Sequence, residues 1–320
     1  MSRRRQKRNQ ELYWSNLPGL FDSTDSVAEE ALSVPAPELS EQPKKLRFIS
    51  FGSGSSGNCA YVGCEDCGVL IDAGVDNNKV LEQLALNSID IRTIGGILLT
   101  HDHSDHVRFA YAILRRHQHM RLYCTPRALE GILRRHNMSR RIKDYHAPIY
   151  KEFPFKIGPM TITAFENSHD ASDCAGFAIE GLGTNFVVAT DTGIITERAD
   201  FYIRRANYLM VESNYDEQML RNGRYPAHLK ARIASTIGHM DNADTARYLA
   251  QVVPAMDLRR IFLCHLSQDN NTPQIALATV RTALEQAGVC VAPEPSAAVG
   301  RKVHLSALPR LESSPLVTLV

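Results

Sequence analysis

The sequence predicts a mixed α/β domain with sheets inside and helices packed against their outer faces. Three observations lead there. Short apolar runs joined by glycine-containing turns begin at Leu46, segments of helical period alternate with further apolar runs from Asp76 onward, and no fixed-period repeat interrupts the order. With 320 residues, 44% hydrophobic and 22% charged, the chain also has the composition of a globular protein with a full core.

Taken in order, residues 1–43 open on the basic cluster Arg3-Arg4-Arg5-Gln6-Lys7-Arg8 and turn Ser-, Glu- and Pro-rich, a composition too poor in apolar area to order itself, so this stretch is read as a flexible tail. Leu46–Phe51, Cys59–Val62 and Val69–Ile71 read as strands. Asp76–Leu86 reads as an amphipathic helix, Ile94–Leu99 as a buried strand, Asp105–Arg116 as one helix and Leu122–Cys124 as a strand. Thr125-Pro126 caps a helix running to about His136. In the second half, strands are expected at Met160–Phe165, Ala175–Glu180, Asn185–Ala189, Tyr208–Val211, Arg260–Leu263 and Lys302–Leu305. Helices are expected at Ala227–Ser235, Asn242–Val252 and Pro273–Gln286.

Several function classes fall away on composition. No run of about eighteen apolar residues exists to cross a membrane, and no apolar stretch follows the basic N-terminus as in a secretory signal, so a cytoplasmic protein is expected. The seven cysteines are odd in number and scattered through apolar contexts, which argues for reduced thiols; Cys64 and Cys67 have C-x-x-C spacing without a second pair to complete a zinc site. Gly52-Ser53-Gly54-Ser55-Ser56-Gly57 matches a dinucleotide fingerprint in spacing only. A helix would have to start there, yet Asn58–Val62 continues as strand, so the loop is read as a tight hairpin turn.

The strongest chemical signal is Thr100-His101-Asp102-His103-Ser104-Asp105-His106, directly after the apolar strand. His101 and His103 alternate onto one side of an extended segment, while Asp105 and His106 return from the next helix start, so four ligand-type groups converge in one loop. His169, Asp191 and His265 each follow a later apolar strand. Two cations could share such a set, and two divalent ions held about 3.5–4 Å apart can stabilise both the attacking and the leaving oxygen of an in-line displacement at phosphorus.

These motifs, with Asp72 in Leu70-Ile71-Asp72-Ala73-Gly74, resemble the metallo-β-lactamase superfamily, in the family's order and over roughly Leu46 to Leu305. The resemblance implies a four-layer αββα sandwich, with a catalytic domain over 44–310 and a short C-terminal tail at 311–320. It implies His101, His103 and His169 on one divalent ion, Asp105, His106 and His265 on a second, Asp191 bridging, and Asp72 orienting the ligand loop from behind. Tyr208–Tyr215 and Ile237–Asn242 further resemble segments of phosphodiesterase members such as the RNase Z-like enzymes. That likeness implies His239 as general acid and Glu212 as its orienting partner, making Asp105, His239 and Glu212 the candidate catalytic residues.

Ser53–Asn58, Glu212–Asp216, Gly238-His239, His265-Leu266-Ser267 and Asn270–Pro273 are similar to the YycJ/WalJ-type exonuclease subfamily, which implies 5′-to-3′ action on DNA ends. The interval from Asp191 to His265 is too short for the domain inserted in β-CASP nucleases. Between Arg108 and His146, basic residues meet only two acids, and Arg108, Arg115, Arg116, Arg134, Arg135, Arg140 and Arg141 are candidates to hold a phosphate backbone; activity should then fall steeply with salt. Zn²⁺ and Mn²⁺ both suit a His/carboxylate set. A thioesterase or small cyclic-phosphate diesterase on the same fold, and a metal-stabilised nucleic-acid-binding protein without turnover, are the alternative readings.

Overall fold

Side-chain alternation along Leu46–Gly52 (β1) decides where that strand can lie: Leu46 and Phe48 enter one apolar core, Ile49 and Phe51 another. A strand buried on both faces belongs between layers. The computed structural model describes residues 44–294 and 302–320, and the tail expected at 1–43 lies outside the described residues.

Among the described residues, β1 joins Cys59–Gly63 (β2), Gly68–Ile71 (β3), Ile94–Leu98 (β4), Arg121–Cys124 (β5) and His146–Pro148 (β6) in one sheet. The second sheet holds Phe155–Ile157 (β7), Met160–Glu166 (β8), Ala175–Gly181 (β9), Thr184–Ala189 (β10), Tyr208–Glu212 (β11), Arg260–Cys264 (β12), Cys290–Ala292 (β13) and Lys302–Ala307 (β14), in the order β13-β14-β12-β11-β10-β9-β8-β7. Pairing is parallel from β10 through β11 and β12 to β14, and from β3 through β4 and β5 to β6, so several strand C-termini emerge on a common edge.

The segment expected as a C-terminal tail, 311–320, carries a further strand: Val317–Leu319 (β15) pairs antiparallel with β1, Leu46 opposite Leu319. Three residues carry too little pattern to announce a strand; what orders them is the partner edge of β1, with Leu319 buried in the core between the sheets.

Helices Asn77–Leu86 (α1), Ser104–Val107 (α2), Ala110–Arg116 (α3) and Pro126–Arg135 (α4) follow the first sheet's strands, and Val80, Leu84, Ile113, Leu114 and Ile132 pack against its outer face. Glu197–Ile203 (α5), Glu217–Asn222 (α6), Ala227–Ile233 (α7), Asn242–Val252 (α8) and Pro273–Gln286 (α9) follow in the second half, with Ile203, Leu249, Val280 and Leu284 covering the second sheet. Three apolar cores therefore separate four layers, the αββα sandwich. Asp76 and Thr125 start α1 and α4 by accepting from backbone N–H groups of the first turn. No helix among the described residues is long and apolar enough to cross a membrane.

The single helix expected over Asp105–Arg116 is two. Its carbonyls are claimed from outside: Ala73 N–H donates to His106 O (2.7 Å) and Asn58 N–H to Asp105 O (2.8 Å), while Phe109 N–H turns away to Ala73 O (2.8 Å). Arg108 N–H still donates to Ser104 O (3.0 Å), but the carbonyls that Phe109 and Ala110 would use as helical acceptors, Asp105 O and His106 O, are taken by these tertiary hydrogen bonds. Gly74 permits this approach, because a Cβ there would lie 1.5 Å from Asp105 O.

Phe48 joins the sheets, its ring 4.9 Å from that of Phe186 on β10 and 4.7 Å from that of Phe262 on β12. Phe48→Ala is expected to destabilise the protein by about 3–5 kcal/mol. Denaturant unfolding checks this, and a change under about 1 kcal/mol would show that the inter-sheet core collapses to fill the gap.

Candidate metal centre

The site is built on strand ends. Asp72 follows β3, the His101–His106 loop follows β4, His169 follows β8, Asp191 follows β10, Glu212 ends β11 and His265 follows β12. Three of these residues, Asp72 (φ 60°), Asp191 (φ 50°) and His265 (φ 55°), occupy the left-handed region just past their strands. That conformation costs a non-glycine residue about 1–2 kcal/mol and is held by the packing around it.

All seven side chains expected to hold metal gather in one pocket. His101, His103 and His169 form one group whose ligand atoms lie within 4.8 Å of one another; Asp105, His106 and His265 form a second. Asp191 stands between them, with Oδ2 3.3 Å from His106 Nε2 and Oδ1 3.9 Å from His169 Nε2 and 3.3 Å from His265 Nδ1. Four of the five imidazoles are oriented by their other nitrogen. His106 Nδ1 meets Asp72 Oδ2 (2.8 Å), His169 Nδ1 donates to Gly238 O (2.8 Å), His101 Nδ1 meets Thr100 Oγ1 (3.0 Å) and His265 Nδ1 meets Glu212 Oε1 (2.9 Å). Such outer partners fix the ring and its tautomer for the nitrogen facing the centre. Asp72 lies behind the loop, accepting from Thr100 N–H (2.8 Å) and from its hydroxyl.

Among the described residues, the buried Nε2 atoms of His101 and His265 have no hydrogen-bond partner. An unsatisfied buried polar atom costs about 1–3 kcal/mol, and here two of them lie among other donor atoms of the right chemistry, so the donor set fits divalent cations. Charge agrees. Burial keeps the His101, His103 and His169 imidazoles below their usual range and therefore neutral, the form that binds a metal. Burial also pushes His106 and His265 down, but the carboxylates around them outweigh it: Asp191, Asp72 and Asp105 raise His106 well above normal, and Asp191, Asp105 and Glu212 raise His265 to about 10. The second group thus gathers more negative charge than its imidazoles neutralise without protons, which a divalent ion would displace. Against burial, which raises it, His106 and His265 hold the Asp105 carboxyl far below the usual range.

Glu212 and His239 meet. Glu212 Oε1 is 2.7 Å from His239 Nδ1, and Oε2 accepts from Thr192 N–H (2.8 Å), so a wholly buried carboxylate is fixed at both oxygens. His239 remains partly exposed, its Nδ1 4.0 Å from Asp191 Oδ1, which sets its ring at the edge of the metal ligands.

The seven arginines are all exposed. Arg134 Nη2 donates to Ser172 Oγ (3.1 Å) and Arg135 Nε lies 3.5 Å from Asp102 Oδ2, so these two border the loops carrying His101–His103 and His169. Arg141 faces Asp144 (3.4 Å). No hydrogen bond or ion pair among the described residues ties Arg108, Arg115, Arg116 or Arg140 to the site.

Sequence reading missed several residues. Asn58 Nδ2 lies 3.2 Å from Asp105 Oδ2 and 2.9 Å from His106 Nε2, Asn214 Nδ2 donates to His265 O (2.7 Å), and Ser53 Oγ accepts from His265 N–H (2.9 Å). Asp170, whose Oδ1 lies 3.7 Å from His103 Nε2, holds Arg232 at the rim through Oδ2. Ser53 and Asn58 lie in Ser53–Asn58 and Asn214 in Glu212–Asp216, segments that carry the YycJ/WalJ likeness, and that likeness was the signal available for them. Asn58→Ala is expected to weaken divalent-ion affinity by about 10- to 100-fold, as loss of an outer partner usually does. Chelator competition measures it, and unchanged affinity would show that Asn58 only shapes the turn.

Comparison with known proteins agrees with this architecture. The family described as "Beta-lactamase superfamily domain" matches residues 68–266. The exodeoxyribonuclease YycJ of Bacillus anthracis is 32% identical over 252 residues, covering 76% of this chain and 90% of that protein. The exodeoxyribonuclease WalJ of Streptococcus pneumoniae serotype 2 is 30% identical over 247 residues, covering 77% and 91%. Among solved structures, the metallo-beta-lactamase fold protein YhfI from Bacillus subtilis superposes with a TM-score of 0.60 at 15% identity, over 86% of this chain and 100% of that one. With the sandwich, the strand-end ligands and these relatives together, the chain belongs to the β-lactamase superfamily, in the branch that includes YycJ and WalJ.

Proposed function

We propose that this protein is a dinuclear metal-dependent phosphodiesterase that removes nucleotides from DNA ends in the 5′-to-3′ direction. The observation that carries the reading is the convergence of seven ligand-type side chains on one pocket with the Glu212–His239 pair at its edge. The exodeoxyribonuclease names of relatives 30–32% identical supply the substrate class. His101, His103 and His169 would hold one ion, Asp105, His106 and His265 the other, and Asp191 both. Zn²⁺ or Mn²⁺ bound there supplies Lewis-acid stabilisation of charge on the phosphate.

The chain's own residues do the rest. Glu212 holds His239 by Nδ1, which leaves Nε2 as the nitrogen able to hand a proton to the departing 3′ oxygen, a poor leaving group unless protonated. Arg134 and Arg135, bordering the ligand loops, would position the backbone by exchanging its counterions for guanidinium groups. A reducing, cytoplasmic setting goes with this reading, since all seven cysteines are free thiols.

The test is digestion of DNA and RNA strands labelled at either end by metal-loaded protein, beside a thioester and a cyclic-phosphate substrate. Release of the 5′ label first, from DNA, is the expected result. Release of the 3′ label first would reverse the polarity, and faster thioester or cyclic-phosphate hydrolysis would move the protein to another activity of the same fold.

A further inference from the structure

A partly buried arginine, Arg310, packs against the glycine hairpin. Arg310, which follows β14, packs against Gly54 so closely that a Cβ there would lie 3.3 Å from its Nε. That Nε is buried and, among the described residues, has no acceptor, while Nη2 reaches neutral oxygens there, Gln268 Oε1 (2.9 Å) and Ser56 Oγ (3.5 Å). No carboxylate among the described residues lies within 4.0 Å of the guanidinium. Asp269, beside Gln268 in the chain, is engaged by the Tyr225 hydroxyl (2.7 Å). Other arginines at the rim differ: Arg232 meets Asp170 and Arg135 faces Asp102. With Nε closed off against Gly54, the Nη edge of this partly exposed guanidinium, held by Gln268 and met by no carboxylate within 4.0 Å among the described residues, is the part arranged to receive an anion.

The same hairpin reaches the metal ligands. Gly54 N–H donates to Asn58 Oδ1 (2.8 Å), Asn58 Nδ2 donates to Asp105 Oδ2 (3.2 Å), and Ser53, whose N–H donates to Arg310 O (3.2 Å), accepts from His265 N–H through its hydroxyl. Arg310 is thus tied to the Asp105–His106–His265 group through a few directly bonded residues. Ser56 places its hydroxyl oxygen 3.5 Å from Arg310 Nη2, and both Ser56 and its chain neighbour Ser55 are exposed.

We propose that Arg310, with the Ser55-Ser56 turn, receives the terminal 5′-phosphate of the DNA strand and so makes the protein an end-dependent nuclease. The proposal rests on the reading of the site as a DNA phosphodiesterase. A terminal phosphate carries a second negative charge and an extra oxygen compared with an internal diester, which a fork of guanidinium donors distinguishes from a terminal hydroxyl. Arg310 is a positioning and specificity residue; the bond cleaved lies at the metal ligands.

The experiment compares otherwise identical DNA strands bearing a 5′-phosphate, a 5′-hydroxyl or a 3′-phosphate, using wild type, Arg310→Gln and Arg310→Lys. Two quantities are read: kcat and KM for each end, and anisotropy binding of the same strands in chelator, where nothing is cleaved. Wild type should prefer the 5′-phosphate about tenfold or more in kcat/KM, mostly through KM. Arg310→Gln should bring that ratio close to one, and Arg310→Lys should restore part of it. A merely structural role would lower all three ends equally and leave the ratio intact, which would overturn the proposal. So would a preference for the 3′-phosphate, or equal binding of phosphate and hydroxyl ends by wild type. DNA cleaved without end preference removes this inference alone. Uncleaved DNA removes the nuclease reading, and the binding comparison still decides whether Arg310 takes a terminal phosphate.

Discussion

Asp191→Ala is expected to empty the pocket of divalent ions and to reduce nuclease turnover by roughly 10³-fold or more, because metal-based stabilisation is worth several kcal/mol and about 1.4 kcal/mol is a decade in rate. Asp191 is the side chain that touches both groups, His106 on one side and His169 on the other, so its loss weakens each. Elemental analysis should show wild type with about two equivalents per chain and the variant with none retained after dialysis. Ala also has to adopt the left-handed backbone of this position (φ 50°), at a cost of about 1–2 kcal/mol. Asp191→Asn separates the effects, since Asn tolerates that conformation yet brings no charge. Added metal should raise the melting temperature of wild type, as a ligand bound only by the native state must, and leave that of the Asp191→Asn variant unmoved. Full metal content in either variant would remove Asp191 from the shared position.

His239→Ala should lower turnover on DNA by about 10²–10⁴-fold while leaving metal content unchanged. The two effects separate because His239 bonds Glu212 and lies at the edge of the ligand groups. A nitrophenyl phosphodiester, whose leaving group departs without a proton, should lose far less. Equal losses on both substrates would mean that His239 shapes the pocket without donating a proton. Glu212→Gln is the less selective change, because Glu212 Oε1 also meets His265 Nδ1 and Oε2 takes Thr192 N–H, so metal affinity should fall together with turnover.

The parts of this fold legible in the sequence are those fixed by local chemistry. The apolar strand before His101 and the ligands spaced in one loop are contiguous, and His169, Asp191 and His265 each follow an apolar run, so their common edge follows once the strands share a sheet. What remained hidden depends on distant partners. The break at Arg108 and Phe109 comes from Ala73 and Asn58 taking helical carbonyls, and the strand Val317–Leu319 exists because β1 offers an edge. Likewise, Asn58 and Asn214 stand in segments that carry the family likeness, but the bonds they make, and the place of Asp170, exist only once the chain closes around the ligands. The basic run between Arg108 and His146 divides for the same reason. Helix periodicity and tertiary packing bring Arg134 and Arg135 to the ligand loops and turn Arg141 to Asp144.

The most direct measurement is anomalous diffraction from crystals of the protein grown with Zn²⁺ or Mn²⁺, with data on either side of the metal's absorption edge. Two peaks should appear, one at about 2.0–2.2 Å from ring nitrogens of His101, His103 and His169 and the other at such distances from Asp105, His106 and His265, with Asp191 reaching both. A single peak away from these residues, or none in protein that cleaves DNA, would contradict the account.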